Sequence, residues 1–161
     1  MSMNTNQMLL TVNGTFKLNP EPILEQEESI PLTFPGLVSW AAWTELDPSI
    51  RGGKIWLDPA VPFERLQPSL AVLQVIGIHF SVFSDGRGLS YARVLRQEYK
   101  YDGDLRAIGD IGRDQLDGLR RCGFSSFLLR VGEDEAEASH GLRPFANSYQ
   151  DIRFGKPLPL S

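Results

Sequence analysis

From residue 71 to residue 131 the chain alternates two hydrophobic patterns, and that alternation restricts it to few folds. Residues 71–83, AVLQVIGIHFSVF, form a β-branched, largely apolar run that suits a strand covered on both faces. Residues 89–99 then place Tyr91, Val94, Leu95 and Tyr99 at helical spacing. A short strand follows at 105–108. A second helix follows at 113–122, with Leu116 and Leu119 inward, and a third strand at 124–131, FSSFLLRV. Gly123 stands where a helix commonly ends on a left-handed residue. This twice-used unit of strand, glycine- and aspartate-bearing loop and helix predicts an α/β fold. Its sheet is mostly parallel, built from βαβαβ units with right-handed crossovers. An open sheet and a partial barrel share that rhythm.

The flanking segments add simpler elements. In residues 8–18, MLLTVNGTFKL, the Asn13-Gly14 pair between short apolar stretches predicts an N-terminal β-hairpin. Residues 19–36 hold Pro20, Pro22, Pro31, Pro35 and four glutamates, and read as an extended, non-helical connector. Residues 37–46 carry apolar side chains at helical spacing, closed by Asp47-Pro48. Residues 54–57 read as a short strand before Asp58-Pro59. A helix starts near 134 and is interrupted by Gly141 and Pro144, and 155–161 forms a flexible tail. At 161 residues the chain is most simply one domain, 1–161, around one core.

Charge narrows the partners. The net charge of −4 argues against a nucleic-acid binder. Residues 87–121 nevertheless carry eight basic and six acidic side chains, so a local +2 sits in a chain that is otherwise −6. Seven of those eight cations are arginines, which suit bidentate contact with an oxyanion or carboxylate. The longest apolar run is broken by Gln74, Gly77 and His79, short of the ~20 residues of a membrane span. The N-terminal residues lack the pattern of a secretory signal. A single cysteine, Cys122, excludes an internal disulfide and a cysteine-based metal cluster. The expected location is the cytoplasm.

Ligands of parallel sheets bind outside the carboxyl ends of the strands. Three loops belong to that end: 84–88, SDGRG; 109–115, GDIGRDQ; and 132–134, GED. Gly86 and Gly88 permit positive φ and close approach of the backbone to a ligand. The start of the following helix favours an anion. Arg87, Arg93 and Arg106 can complete such a site, Ser90 can donate its hydroxyl, and Gln115 lies in the second loop. The Gly86-x-Gly88 fragment lacks the further glycine and the lysine of nucleotide fingerprints. Asp85 and Asp110 each follow a strand and are the candidates for a paired-carboxylate catalytic role, with or without a divalent cation. Both can equally cap a helix or bond a neighbouring arginine. His79 reads as a core residue of its strand, Cys122 as a buried structural thiol, and Trp40 and Trp43 as packing groups before a stacking platform.

One resemblance ties these segments together. The strings Phe83-x-Asp85-Gly86-Arg87-Gly88-x-Ser90-x-Ala92-Arg93-x-Leu95-Arg96, Gly103-x-Leu105-Arg106-Ala107-x-Gly109-Asp110 and Arg121-Cys122-Gly123-Phe124-x-x-Phe127 resemble the bacterial domain of unknown function 934 family. The likeness is strongest over residues 71–130, and Leu89 stands where the family pattern has tyrosine. Members are commonly described as oxidoreductases involved in sulfite reduction. The resemblance therefore implies cytoplasmic sulfur assimilation, with sulfite reductase components as candidate partners. No flavin, nicotinamide or iron–sulfur motif is visible, so the cofactor stays open. Three readings follow: an accessory protein binding a small anion at the Asp-Gly-Arg-Gly loop, an enzyme using Asp85 and Asp110, or a protein-interaction module using Trp40, Trp43 and the acidic connector. The oligomeric state stays open, a homo-oligomer included.

Overall fold

The computed structural model describes residues 8–11, 16–18, 23–24, 36–81 and 86–129. Eight strands of these residues form one sheet: β1 (Met8–Thr11), β2 (Phe16–Leu18), β3 (Ile23–Leu24), β4 (Leu37–Ser39), β5 (Lys54–Leu57), β6 (Val75–Phe80), β7 (Asp104–Gly109) and β8 (Ser126–Leu129). Their spatial order is β2-β1-β8-β7-β6-β5-β4-β3. From β3 to β8 every neighbour is parallel, whereas β1 pairs antiparallel with both β8 and β2. The sheet is open, with β2 and β3 at its edges, so the α/β expectation holds and the barrel does not close.

The helices are α1 (Trp40–Glu45), α2 (Phe63–Leu66), α3 (Gly86–Gln97) and α4 (Leu116–Arg121). The parallel strands follow one another in chain order, an arrangement in which right-handed crossovers all fall on the same side. Accordingly Trp43, Leu66, Tyr91, Ala92, Leu95, Leu116 and Leu119 from the four helices pack in one core with Ile55, Ile76, Ile78, Leu105 and Phe127 of the sheet. The opposite face carries a separate cluster of Leu9, Ile23, Leu37, Val75, Ile108 and Leu128, with Trp56 against it. Curvature helps close that second face. A Cβ on Gly77 of β6 would lie 2.9 Å from Leu37 Cδ2, although Leu37 belongs to β4, two strands away. Next-but-one strands of a flat sheet lie about 10 Å apart, so the sheet must bend to bring that leucine over Gly77.

Several boundaries differ from the sequence reading, each for a local reason. Residues 37–39 leave the expected helix and form β4, because Val38 pairs with Ile55. Ser39 then caps α1, its hydroxyl accepting from the Ala42 N–H at 3.2 Å. A three-residue buried strand and one helical turn present the same apolar spacing, which made the two indistinguishable. Within the connector, Ile23 and Leu24 pair with β4 as an edge strand. The strand expected from 71 begins at Val75, since 67–74 are occupied by a 3-10 turn (Gln67–Ser69) and the loop after it. The expected helix at 113–122 opens as a 3-10 turn, Arg113–Gln115, before α4. The hairpin is seen as the pairing of β1 with β2. Its turn, most of the connector, the 132–134 loop, the 134–149 helix and the 155–161 tail lie outside the described residues.

The lower end of the sheet is held by one buried cation. Arg96, on the last turn of α3, is 1% exposed. Its Nε donates to Gly123 O at 2.8 Å, and its Nη1 to Tyr101 O at 2.8 Å and Gly103 O at 2.7 Å. Two connections thereby meet on one guanidinium of α3: the turn from α3 into β7 and the turn from α4 into β8. Gly123 fits beside it only because it lacks a Cβ, which would sit 2.5 Å from Arg96 Cγ, and because it tolerates φ of +110°. Around the strand ends, Ser125 Oγ donates to Asp104 Oδ1 at 2.5 Å and Ser126 Oγ to the same oxygen at 2.8 Å. Asp104 also holds Arg106 in an ion pair of 2.8 Å. Replacing Arg96 by methionine removes the donors for three carbonyls, and urea unfolding should show a loss of about 3–5 kcal/mol. An unchanged midpoint would mean that the hub is not needed for stability.

Candidate functional site

A cleft of about 470 Å³ opens at the carboxyl ends of β5 and β6, on the helical side of the sheet. Its near wall is α3, through Gly86, Arg87, Ser90, Tyr91 and Val94, and its far wall is Pro59 and Phe63. The chain builds the far wall by turning sharply after β5. Asp58 Oδ1 accepts the Ala60 N–H at 3.0 Å and its carbonyl accepts from Val61 at 3.1 Å, and Pro62 then starts α2. The wall is pinned to α3 by Tyr91, whose hydroxyl donates to Val61 O at 2.9 Å. Phe63 stacks on Tyr91 with centroids 4.3 Å apart and also on Tyr99 at 5.4 Å. Burial, with Tyr99 and Glu64 nearby, pushes the Tyr91 phenol well above the ordinary tyrosine range, so it remains a protonated donor.

The sequence-predicted residues do not gather in one place. Gly86, Arg87 and Ser90 line the cleft, with Arg87 and Ser90 exposed. Gly86 and Gly88 belong to α3 itself and not to a loop before it, and neither takes a positive φ; among the described glycines only Gly109 and Gly123 do. The close approach that Gly88 permits is to the sheet: a Cβ there would meet the Phe80 ring at 2.5 Å. Arg93 points along α3 to α4, its Nη2 donating to the Cys122 sulfur at 3.3 Å. Gln115 closes its own turn, its Oε1 accepting the Gly112 N–H at 2.8 Å. Asp110 follows β7, and its N–H donates to Phe80 O at 2.8 Å. Asp85 lies outside the described residues.

Arg106 is placed apart from all of these. Strand alternation puts it on the sheet face opposite the helices, where it is buried and bonded to Asp104 and to Ser126 Oγ at 3.0 Å. That same face carries His79, half-buried with its ring 5.6 Å from Trp56. Trp40 and Trp43 are both buried and stacked at 5.4 Å, as the packing reading expects. Trp43 Nε1 donates to Gly52 O at 2.8 Å, which fixes the turn before β5. Cys122 is buried. Among the described residues no three His, Cys, Asp or Glu side chains gather, and no helix is long and apolar enough to cross a membrane. The sequence reading missed Phe63 and Pro59. Their signal was the loop following the 54–57 strand, which a parallel sheet brings to the same end as the loop after β6.

Residues 54–160 match the family described as bacterial protein of unknown function (DUF934). The chain belongs to that family. The match begins at the first residue of β5, so the whole cleft and the Arg96 hub lie inside the DUF934 region, while β1 to β4 precede it. No curated protein and no solved structure matches the chain.

The phenol that joins the two walls gives a test of their construction. Its folded-state pKa is raised, so the stability it contributes is present below the unfolded tyrosine value of about 10 and is lost as pH climbs above it. Tyr91→Phe should cost about 1 kcal/mol at neutral pH through the lost bond to Val61. It should also flatten the decline in melting temperature on the alkaline side. A decline as steep as in the wild type would show that Tyr91 does not titrate with unfolding.

Proposed function

We propose that the chain is a cytoplasmic accessory protein of sulfite assimilation that holds a small anionic ligand in the α3 cleft. The observation that carries this reading is that Arg87 and Ser90, one turn apart, share a cleft with the first turn of a twelve-residue helix. The N-terminal end of such a helix bears partial positive charge, and the guanidinium adds a full one with fork geometry suited to an oxyanion. The locally basic stretch within an otherwise acidic chain favours the same sign of ligand. The association with sulfite reduction comes from the family resemblance. It agrees with the chemistry because sulfite and sulfate are oxyanions, and sulfite reductase components are the partners it suggests. The burial of Trp40 and Trp43 counts against the interaction-module reading, whose other part, the acidic connector, lies mostly outside the described residues. For the enzymatic reading, Asp110 is half-buried at the end of β7, and Asp85, the carboxylate it would pair with, lies outside the described residues.

Thermal unfolding in the presence of sulfite, sulfate and phosphate tests the reading. An anion present at about 100 times its Kd should stabilise the protein by roughly 2.7 kcal/mol, and Arg87→Ala should abolish that shift without unfolding the protein. Equal shifts in wild type and variant would place the anion elsewhere and sink the proposal.

A further inference from the structure

The walls of the cleft say more about the ligand than its charge. Positive charge is confined to one side, at Arg87 and the first turn of α3. The remaining lining is Pro59, Phe63, Tyr91 and Val94, an apolar and aromatic surface. Tyr91 is 4% exposed and spends its hydroxyl on Val61 O, so it backs Phe63 and adds no polar group to the cleft. Phe63 is half-buried and held by two stacked neighbours, so its orientation is set before any ligand arrives and little side-chain entropy is lost on binding. The volume, about 470 Å³, is that of a site for a whole organic molecule, which typically spans about 300–1,000 Å³. A bare oxyanion would occupy the Arg87 side and leave the ring wall in contact with water.

We infer that the ligand carries its anionic group on a flat ring body, and that a nucleoside phosphate is the class that fits. The inference rests on the anion reading above and adds the body that the anion is attached to. The phosphate lies toward Arg87, Ser90 and the first turn of α3, and the base lies against Phe63, which Tyr91 backs. Aromatic walls accept any base by its π-face, so the site selects the ring before the identity of the base.

Titration calorimetry on the full chain with AMP, ribose 5-phosphate, inorganic phosphate and adenosine separates the two levels of the argument. AMP should bind at least about 10-fold more tightly than ribose 5-phosphate, in line with the contribution of one stacked base. Phe63→Leu should close most of that gap and leave the affinity for inorganic phosphate unchanged. Arg87→Gln should weaken all three phosphates together. Circular dichroism checks that each variant folds, and the wild-type comparison of AMP with ribose 5-phosphate decides the matter without any variant. Equal affinities for the three phosphates, all lowered by Arg87→Gln, would overturn the ring-body inference and leave the anion reading standing. The same holds if phosphate binds and AMP does not. Adenosine bound as tightly as AMP and indifferent to Arg87→Gln would overturn both.

Discussion

A guanidinium with almost no exposure to solvent must have its donors met inside the protein, and that requirement on Arg96 organises the lower half of the molecule. Its planar fork reaches the carbonyls of Gly123, Tyr101 and Gly103, which belong to two different connections. A lysine has no such fixed fork, so it cannot hold three carbonyls in one plane of donors. The network extends through Ser125, 3.5 Å from Arg96 Nη2, to Asp104 and from there to Arg106 on the far side of the sheet. One carboxylate thus stands between two buried arginines, and the charges are shared across the strand ends of β7 and β8. These are the amino-terminal ends. This polar network therefore lies at the end of the sheet away from the cleft.

The order of strands has a second consequence. Six parallel strands in chain order put their crossovers on one side, so no helix among the described residues reaches the other face. Among the described residues that face covers its own apolar side chains. It does so in part by bending over Gly77, where the absent Cβ admits Leu37 from one side and Ile108 Cδ1, 3.3 Å from the Cβ position, from the other. A larger residue at that point would hold the sheet flatter and open Leu37, Trp56 and Ile108 to water. On this face Arg106 is bonded to Asp104 and to Ser126 Oγ, and Ser126 to Asp104, which offsets part of the cost of burying the arginine.

How much of this was legible in the sequence depends on which property was asked for. The parallel core was visible because β6, α3, β7, α4 and β8 each carry an unmixed period, and Gly123 announced its positive φ by its place after Cys122. β4 was hidden, since three residues cannot show a period, and its strand state comes from pairing with β5, which is a tertiary fact. The arginines illustrate a deeper limit. Arg87, Arg93, Arg96 and Arg106 look alike in a composition, yet one lines the cleft, one reaches Cys122, one is the buried hub and one faces the opposite side of the sheet. Helical phase already separates Arg96 from Arg93, because Arg96 follows the buried Ala92 by one turn. Strand parity likewise separates Arg106 from the helix-side residues Leu105 and Ala107.

The glycines of the 84–88 loop make the same point at the site itself. Gly86 and Gly88 read as a loop because helices disfavour glycine. In the structure Gly88 is required inside the helix, where it lets α3 settle onto Phe80 of β6. Phe80 in turn packs against Phe124 at 5.7 Å, so the seat of α3 is fixed by the core and not by the loop before it. The depth of that seat decides how far Arg87 and Ser90, the residues flanking Gly88 and Leu89, stand above the sheet end. The position of the charged side of the cleft is therefore a packing outcome. A glycine that looks like a ligand contact in the sequence acts on the site from beneath, by setting the height of the helix that carries it.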